Sequence, residues 1–201
     1  MAIRKSVTIG TLKEVQQAVP RETAYIKGIK KSIEEKVKEA QKHLLENFEK
    51  HPVTIEIAAG PQGTNVSGTL GGIGNLFSYI GFSAGDKPLG SIRIMLKQYN
   101  IRFHHSKKKT TINITVPTTT EIFRSTPLPW ATGRSWAKGI ETGISGLGTY
   151  LNIDSARSRS GTGIQTKAKQ RAGRFKNRTY LSSLLKNYYK EIRKIEQTTI
   201  S

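Results

Sequence analysis

The chain has 201 residues, with 33 Lys or Arg against 14 Asp or Glu, giving a formal net charge of +19 and a pI near 10.2. A charge of this size implies an anionic neighbour, whether nucleic acid, a membrane surface or an acidic protein. The absence of cysteine excludes disulfides, thiol chemistry and cysteine-based zinc sites, and no apolar run approaches the roughly 18 residues that a membrane helix needs.

Residues 1–20 are weakly patterned and read as an N-terminal extension ending at Pro20. The opening MAIRKSVTIGTLKEV has no apolar stretch of the signal-peptide kind, so it is not expected to be one. In the next segment Ile26, Ile29, Ile33, Val37, Ala40, Leu44 and Phe48 recur at three- and four-residue steps. That spacing predicts one apolar stripe on a long helix packed on a sheet. Glu34 and Glu35 with Lys38, and Glu46 with Lys50, are its expected ion pairs. The helix should stop at His51-Pro52, because a residue before proline resists the α region. HPVTIEIAAG then alternates, with Val53, Ile55 and Ile57 on one side and Thr54 and Glu56 on the other, which predicts a half-buried strand.

A glycine-rich loop follows, and Leu76, Phe77, Tyr79, Ile80 and Phe82 form a short apolar cluster suited to plugging the core. LGSIRIMLKQYN reads as a short helix. YNIRFHH and TTINITV both alternate around SKKKT, which predicts an antiparallel hairpin with a basic tip at Lys107, Lys108 and Lys109. PTTTEIFRSTPLPW opens with threonines and Glu121, as a capped helix does.

The segment PWATGRSWAKGIETGISGLGTYL holds both tryptophans, Trp130 and Trp136, and five glycines. Tryptophan and arginine are enriched at binding hot spots, and glycine lets a loop track another backbone closely. Two readings stand side by side: the rings cap the hydrophobic core, or Trp130, Arg134 and Trp136 contact another subunit. On the second reading, Trp136→Ala blocks assembly and leaves the monomer folded.

Residues 152–178 have only Ile153, Ile164 and Phe175 as large apolar residues, too few to fold alone. Their cations are Arg157, Arg159, Lys167, Lys169, Arg171, Arg174, Lys176 and Arg178, with no acid between Ala156 and Arg178. This basic arm is either an anionic-partner or neighbour-wrapping segment, or a solvated linker. From Thr179 a helical pattern returns, with Leu181, Leu184, Leu185, Tyr188, Ile192 and Ile195 on one face.

The expected fold class is α+β: a long N-terminal amphipathic helix packed on a small, mostly antiparallel sheet, then an extended basic arm and a C-terminal helix. The expected organisation is an N-terminal extension (1–20), a core (21–151) that includes the glycine-tryptophan loop (127–151), the arm (152–178), and the C-terminal helix and tail (179–201).

Catalytic patterns fail in turn. His104 and His105 are adjacent on a strand and point to opposite faces, and His43 and His51 have no carboxylate at metal-binding spacing. GTLGGIGNLFS lacks both the dinucleotide-binding order and the P-loop ending. GISGL has Leu147 where a nucleophile elbow needs glycine. Acids are few and cluster on the first helix, so paired catalytic carboxylates are not expected. No enzyme activity, cofactor or metal is expected.

Three stretches resemble the tail-completion and minor tail proteins at the head–tail junction of long-tailed bacteriophages, the lambda minor tail protein Z-like group. They are HPVTIEIAAGPQGTNVSGTLGGIGNLFSYIGF, PWATGRSWAKGIETGISGLG and SRSGTGIQTKAKQRAGRFKNRTYLSSLL, together about half of the chain. The glycine-tryptophan insertion is longer here than in the lambda-type members. The resemblance implies a non-enzymatic α+β virion protein that assembles in the host cytoplasm into a homo-oligomeric, often hexameric, ring. Such a ring joins other neck and tail proteins, surrounds the DNA path and touches genomic DNA non-specifically. The alternative is a basic nucleic-acid-binding protein of ribosomal or nucleoid type, which accounts for the charge and leaves the tryptophan loop unexplained.

Overall fold

The computed structural model describes residues 6–9, 23–70, 74–105, 110–143 and 175–198. Helix α1 (Thr23–Glu49) carries the expected stripe: Ile33, Val37, Ala40, Leu44 and Phe48 are buried and Ile29 partly so. Its chief partner is not the sheet, as expected, but the C-terminal helix α7 (Leu181–Thr198). Leu181, Leu185, Tyr188, Ile192 and Ile195 are buried in the same core, so α7 is a wall of the domain rather than an appendage. The sheet meets α1 at Lys30, whose ammonium lies 5.2 Å from the centre of the Phe103 ring. Glu35 and Glu46 reach back to Lys31 and Lys42, both at 3.9 Å, rather than forward to Lys38 and Lys50. Such exposed pairs stabilise a helix only slightly.

The segment after His51 is a helix and not the expected strand. In α2 (Pro52–Ala58) proline occupies the first turn, where its missing N–H is no loss, and the His51 side chain accepts from Val53 N at 3.2 Å. The buried residues are Val53, Thr54, Glu56 and Ile57, while Ile55 is 44% exposed. The two apolar residues four apart face inward, a helical relation that a five-residue alternation also contains.

Burying Glu56 organises the glycine-rich loop. Its Oε2 accepts from Ser67 N at 2.8 Å and its Oε1 from Leu76 N at 2.7 Å. Leu76 opens α3 (Leu76–Ile80), whose cap is Asn75, accepting from Ser78 N at 2.9 Å and donating to Pro61 O at 2.9 Å. The expected apolar plug forms as read: Leu76, Phe77 and Ile80 are buried, with Tyr79 and Phe82 packed against them. The next helix, α4 (Gly90–Leu96), also agrees, and Arg93 on it forks onto Glu49 of α1 at 2.7 and 2.8 Å.

Strands β2 (Asn100–His105) and β3 (Thr110–Thr115) make the expected antiparallel hairpin, whose tip at 106–109 lies outside the described residues. The weakly patterned N-terminus supplies a third strand, β1 (Ser6–Ile9), antiparallel to β3, so the order is β1-β3-β2. Helix α5 (Thr119–Arg124) has a full capping box: Thr118 Oγ1 accepts from Glu121 N at 3.2 Å, and Glu121 Oε2 accepts from Thr118 N at 2.9 Å. A two-stranded antiparallel ribbon of β4 (Pro127–Leu128) and β5 (Ala131–Ser135) then leads into α6 (Trp136–Thr142).

Glu56→Gln would aim an amide N–H₂ at one of two buried backbone N–H groups. Losing a charged acceptor there should lower the unfolding free energy by about 2 to 3 kcal/mol. A urea denaturation curve with an unchanged midpoint would contradict this.

Candidate interface at the base of the basic arm

The expected glycine-tryptophan loop is, as far as Gly143, a ribbon and a helix. Ser135 caps α6 by accepting from Lys138 N at 3.0 Å, and Thr126 O accepts from Trp136 N at 2.9 Å. Trp136 is therefore the first residue of a helix that points into the core. It is 1% exposed, lies edge-on to Phe82 at 5.8 Å and tilts against Tyr180 at 6.4 Å. This overturns the expectation that Trp136 meets an adjacent subunit, because no part of its ring is left to offer.

Trp130 is half-buried. Its indole Nε1 donates to Ile80 O at 2.7 Å, and the ring lies over Gly81, which ends α3 at φ +92°. A Cβ at Gly81 would sit 3.0 Å from Trp130 Cδ1, so both the positive φ and the indole require glycine there. Of the three predicted contact residues, Arg134 on β5 is the one that is exposed.

The second element of the site is the stretch that re-enters the core. Phe175 stacks on Tyr79 at 5.9 Å and an 11° interplanar angle. Lys176 N donates to Thr69 O at 2.8 Å and Arg178 N to Ile140 O at 3.0 Å. Lys176 and Arg178 are thus tied by their backbones, with their side chains exposed, and the Arg178 guanidinium lies against Gly68. Gly143 ends α6 at φ +76°, and a Cβ there would be 3.6 Å from Asn177 Oδ1. The core therefore releases the chain after Gly143 and takes it back beside the same point. Arg157, Arg159, Lys167, Lys169, Arg171 and Arg174 fall between, outside the described residues, as do Lys107, Lys108 and Lys109.

Tyr180 locks this base. It is fully buried, its hydroxyl shares a 2.7 Å hydrogen bond with Thr54, and its ring packs on Phe48, His51 and Trp136. Burial pushes the phenol well above its usual range, so it stays neutral. Glu141 Oε1 accepts from Tyr180 N at 3.2 Å and Ser182 N at 2.8 Å, where α7 begins. A carboxylate on α6 thereby caps α7 and meets the positive end of its dipole. Sequence reasoning missed His51, Thr54, Glu56, Glu141 and Tyr180. The available signal was the scarcity of acids away from the first helix.

Burial holds the His51 imidazole below the usual histidine range. A hydrogen bond with the Thr179 backbone opposes the shift, the charge of Arg178 adds to it, and Glu141 opposes it. Among the described residues no group of three or more metal-ligating side chains converges, and no helix is long and apolar enough to cross a membrane. Comparison with protein-family models, curated proteins and solved structures finds no match in any of the three.

Trp136→Ala should destabilise the monomer by about 3 to 5 kcal/mol, whereas Trp130→Phe should remove about 1 kcal/mol with its single hydrogen bond. Chemical denaturation showing a fully stable Trp136→Ala monomer would move the ring out of the core. For His51 the folded pKa lies below the unfolded one. Its contribution is therefore complete above about pH 6.5 and lost as pH falls through the folded value. Thermal midpoints should drop more steeply on acidification in the parent than in His51→Asn, which keeps a capping side chain without a titrating one. Parallel curves would show that His51 contributes nothing to acid sensitivity.

Proposed function

We propose that this chain is a structural virion protein of a tailed bacteriophage, a ring subunit at the head–tail junction that joins tail to head around the DNA path. The observation that supports it most is the way the core grips both ends of a basic segment. Gly143 lies beside Asn177, and the 33 intervening residues carry seven cations and one acid. A segment of that length with its ends held together extends at most about 50 Å outward, far enough to cross a neighbouring subunit.

The rest of the site agrees with a scaffold role. Glu56, Glu121 and Glu141 each accept from backbone N–H groups and so act as structural caps. The subunit contact falls to Arg134 and the exposed part of Trp130, not to Trp136. Neck and tail proteins and genomic DNA are the proposed partners, and the virion is the proposed location. The net charge of +19 favours a second reading, a nucleic-acid-binding protein of ribosomal or nucleoid type.

Light-scattering mass of the purified protein, with and without virion neck or tail components, separates the two. A ring, or a monomer converted to a ring by those components, is the expected result, and Arg134→Glu should weaken it. A monomer that ignores the components and binds nucleic acid tightly gives the second reading.

A further inference from the structure

From Lys87 to Thr120 the chain has no Asp or Glu, while it carries Lys87, Arg93, Lys97, Arg102, Lys107, Lys108 and Lys109 and two histidines. Folding sorts these charges. Arg93 is neutralised by Glu49. The β2–β3 hairpin buries Ile112 and Ile114 on one face, with Ile101 and Phe103 packed beside them. The other face follows from the register. Asn100 is opposite Thr115, Arg102 opposite Asn113 and His104 opposite Thr111, and directly paired residues share a face. Asn100, Arg102 and His104 are exposed, and the three β3 residues are partly so. Arg102 has no carboxylate partner among the described residues. Glu121 lines a cleft of about 220 Å³ with Asn100 and Thr115 at one end of this face, and its Oε2 is held in the capping box of α5.

We infer that this face of the sheet docks the phosphate backbone of double-stranded nucleic acid, independently of sequence. Arg, Thr and Asn side chains and the histidine N–H are the groups that contact phosphate and sugar oxygens. Arg102 would pair with a carboxylate or a phosphate alike; the row of hydroxyl and amide donors set beside it by the sheet register matches the regularly repeated phosphate and sugar oxygens of a duplex. A single strand would need a series of aromatic platforms for its bases, whereas Phe103 turns toward the core side under Lys30 and the exposed rings here are His104 on the face and Tyr99 beside Asn100. The inference does not rest on the ring reading, since the face belongs to each subunit at any oligomeric state.

The test is fluorescence anisotropy of a short, dye-labelled DNA duplex of mixed sequence, titrated with the full-length protein at several salt concentrations. Removing one phosphate contact lowers the log–log salt slope by about 0.9, which is roughly an eightfold loss of affinity at about 0.1 M salt. Arg102→Gln should show this loss. Asn113→Asp, which sets a carboxylate opposite Arg102, should lose at least as much. Lys42→Gln removes the same charge from α1, twelve residues and about 18 Å along the helix from Lys30, and should bind nearly as the parent does. Unchanged thermal midpoints confirm that the variants fold. Equal losses in Arg102→Gln and Lys42→Gln would overturn the inference in favour of net charge alone. Failure of the parent to bind duplex would overturn it outright. Binding of poly-glutamate but not duplex, with dependence on Arg102, would overturn it in favour of an acidic protein. None of these outcomes bears on the ring, which is read from the mass.

Discussion

A carboxylate shut away from water needs donors for both oxygens, and Glu56 takes them from the backbone of the loop it supports. Charged hydrogen bonds of this kind are stronger than neutral ones, and their loss leaves buried donors unpaired. The consequence is geometric. With Ser67 N and Leu76 N on one side chain, the chain at Ser67 and again at Leu76 is held against α2, and α3 starts at a fixed place. That start puts Phe77 and Ile80 into the core. It also puts Gly81 under the Trp130 ring and Ile80 O within reach of its N–H. The ribbon that precedes α6 is thereby positioned by a glutamate more than seventy residues earlier.

Tyr180 continues the same chain of dependence. Its hydroxyl is bound to Thr54, on the helix that carries Glu56, and its ring touches Trp136 on α6 and Phe48 on α1. Its backbone N–H is held by Glu141. Four helices thus meet at the residue where the chain re-enters the fold. In a molecule with so few acids, placing Glu56, Glu121 and Glu141 on backbone donors does two things. It secures helix starts that basic side chains cannot cap, and it turns those three carboxylates to backbone N–H groups.

What the sequence disclosed follows from the length of each pattern. The stripes of α1 and α7 run over several turns and cannot be mistaken for strands, and the β2–β3 alternation flanks an obvious turn. The Thr118–Glu121 box is local and was legible for that reason. Short elements were not. Val53, Ile55 and Ile57 satisfy a strand and a helix alike until the partners of Thr54 and Glu56 are known, and those partners, Tyr180 and the Ser67–Leu76 loop, are distant in sequence. Ser6–Ile9 is a strand because β3 presents an edge, which no property of four residues announces. Trp136 was ambiguous for the opposite reason. Tryptophan suits a core and an interface equally, and only the Ser135 cap, which turns the chain into a helix there, decides between them.

The two basic features of the molecule are therefore held in different ways. At the base of the arm, Phe175, Lys176 and Arg178 are tied to Tyr79, Thr69 and Ile140. The outer face of β2 and β3 is set in rows by the sheet register and loses little more on binding. A rigid polar face suits a regular partner such as a duplex backbone. The proposed subunit contact and the proposed duplex contact thus draw on different parts of one chain, the region around the base of the arm and the outer face of β2 and β3.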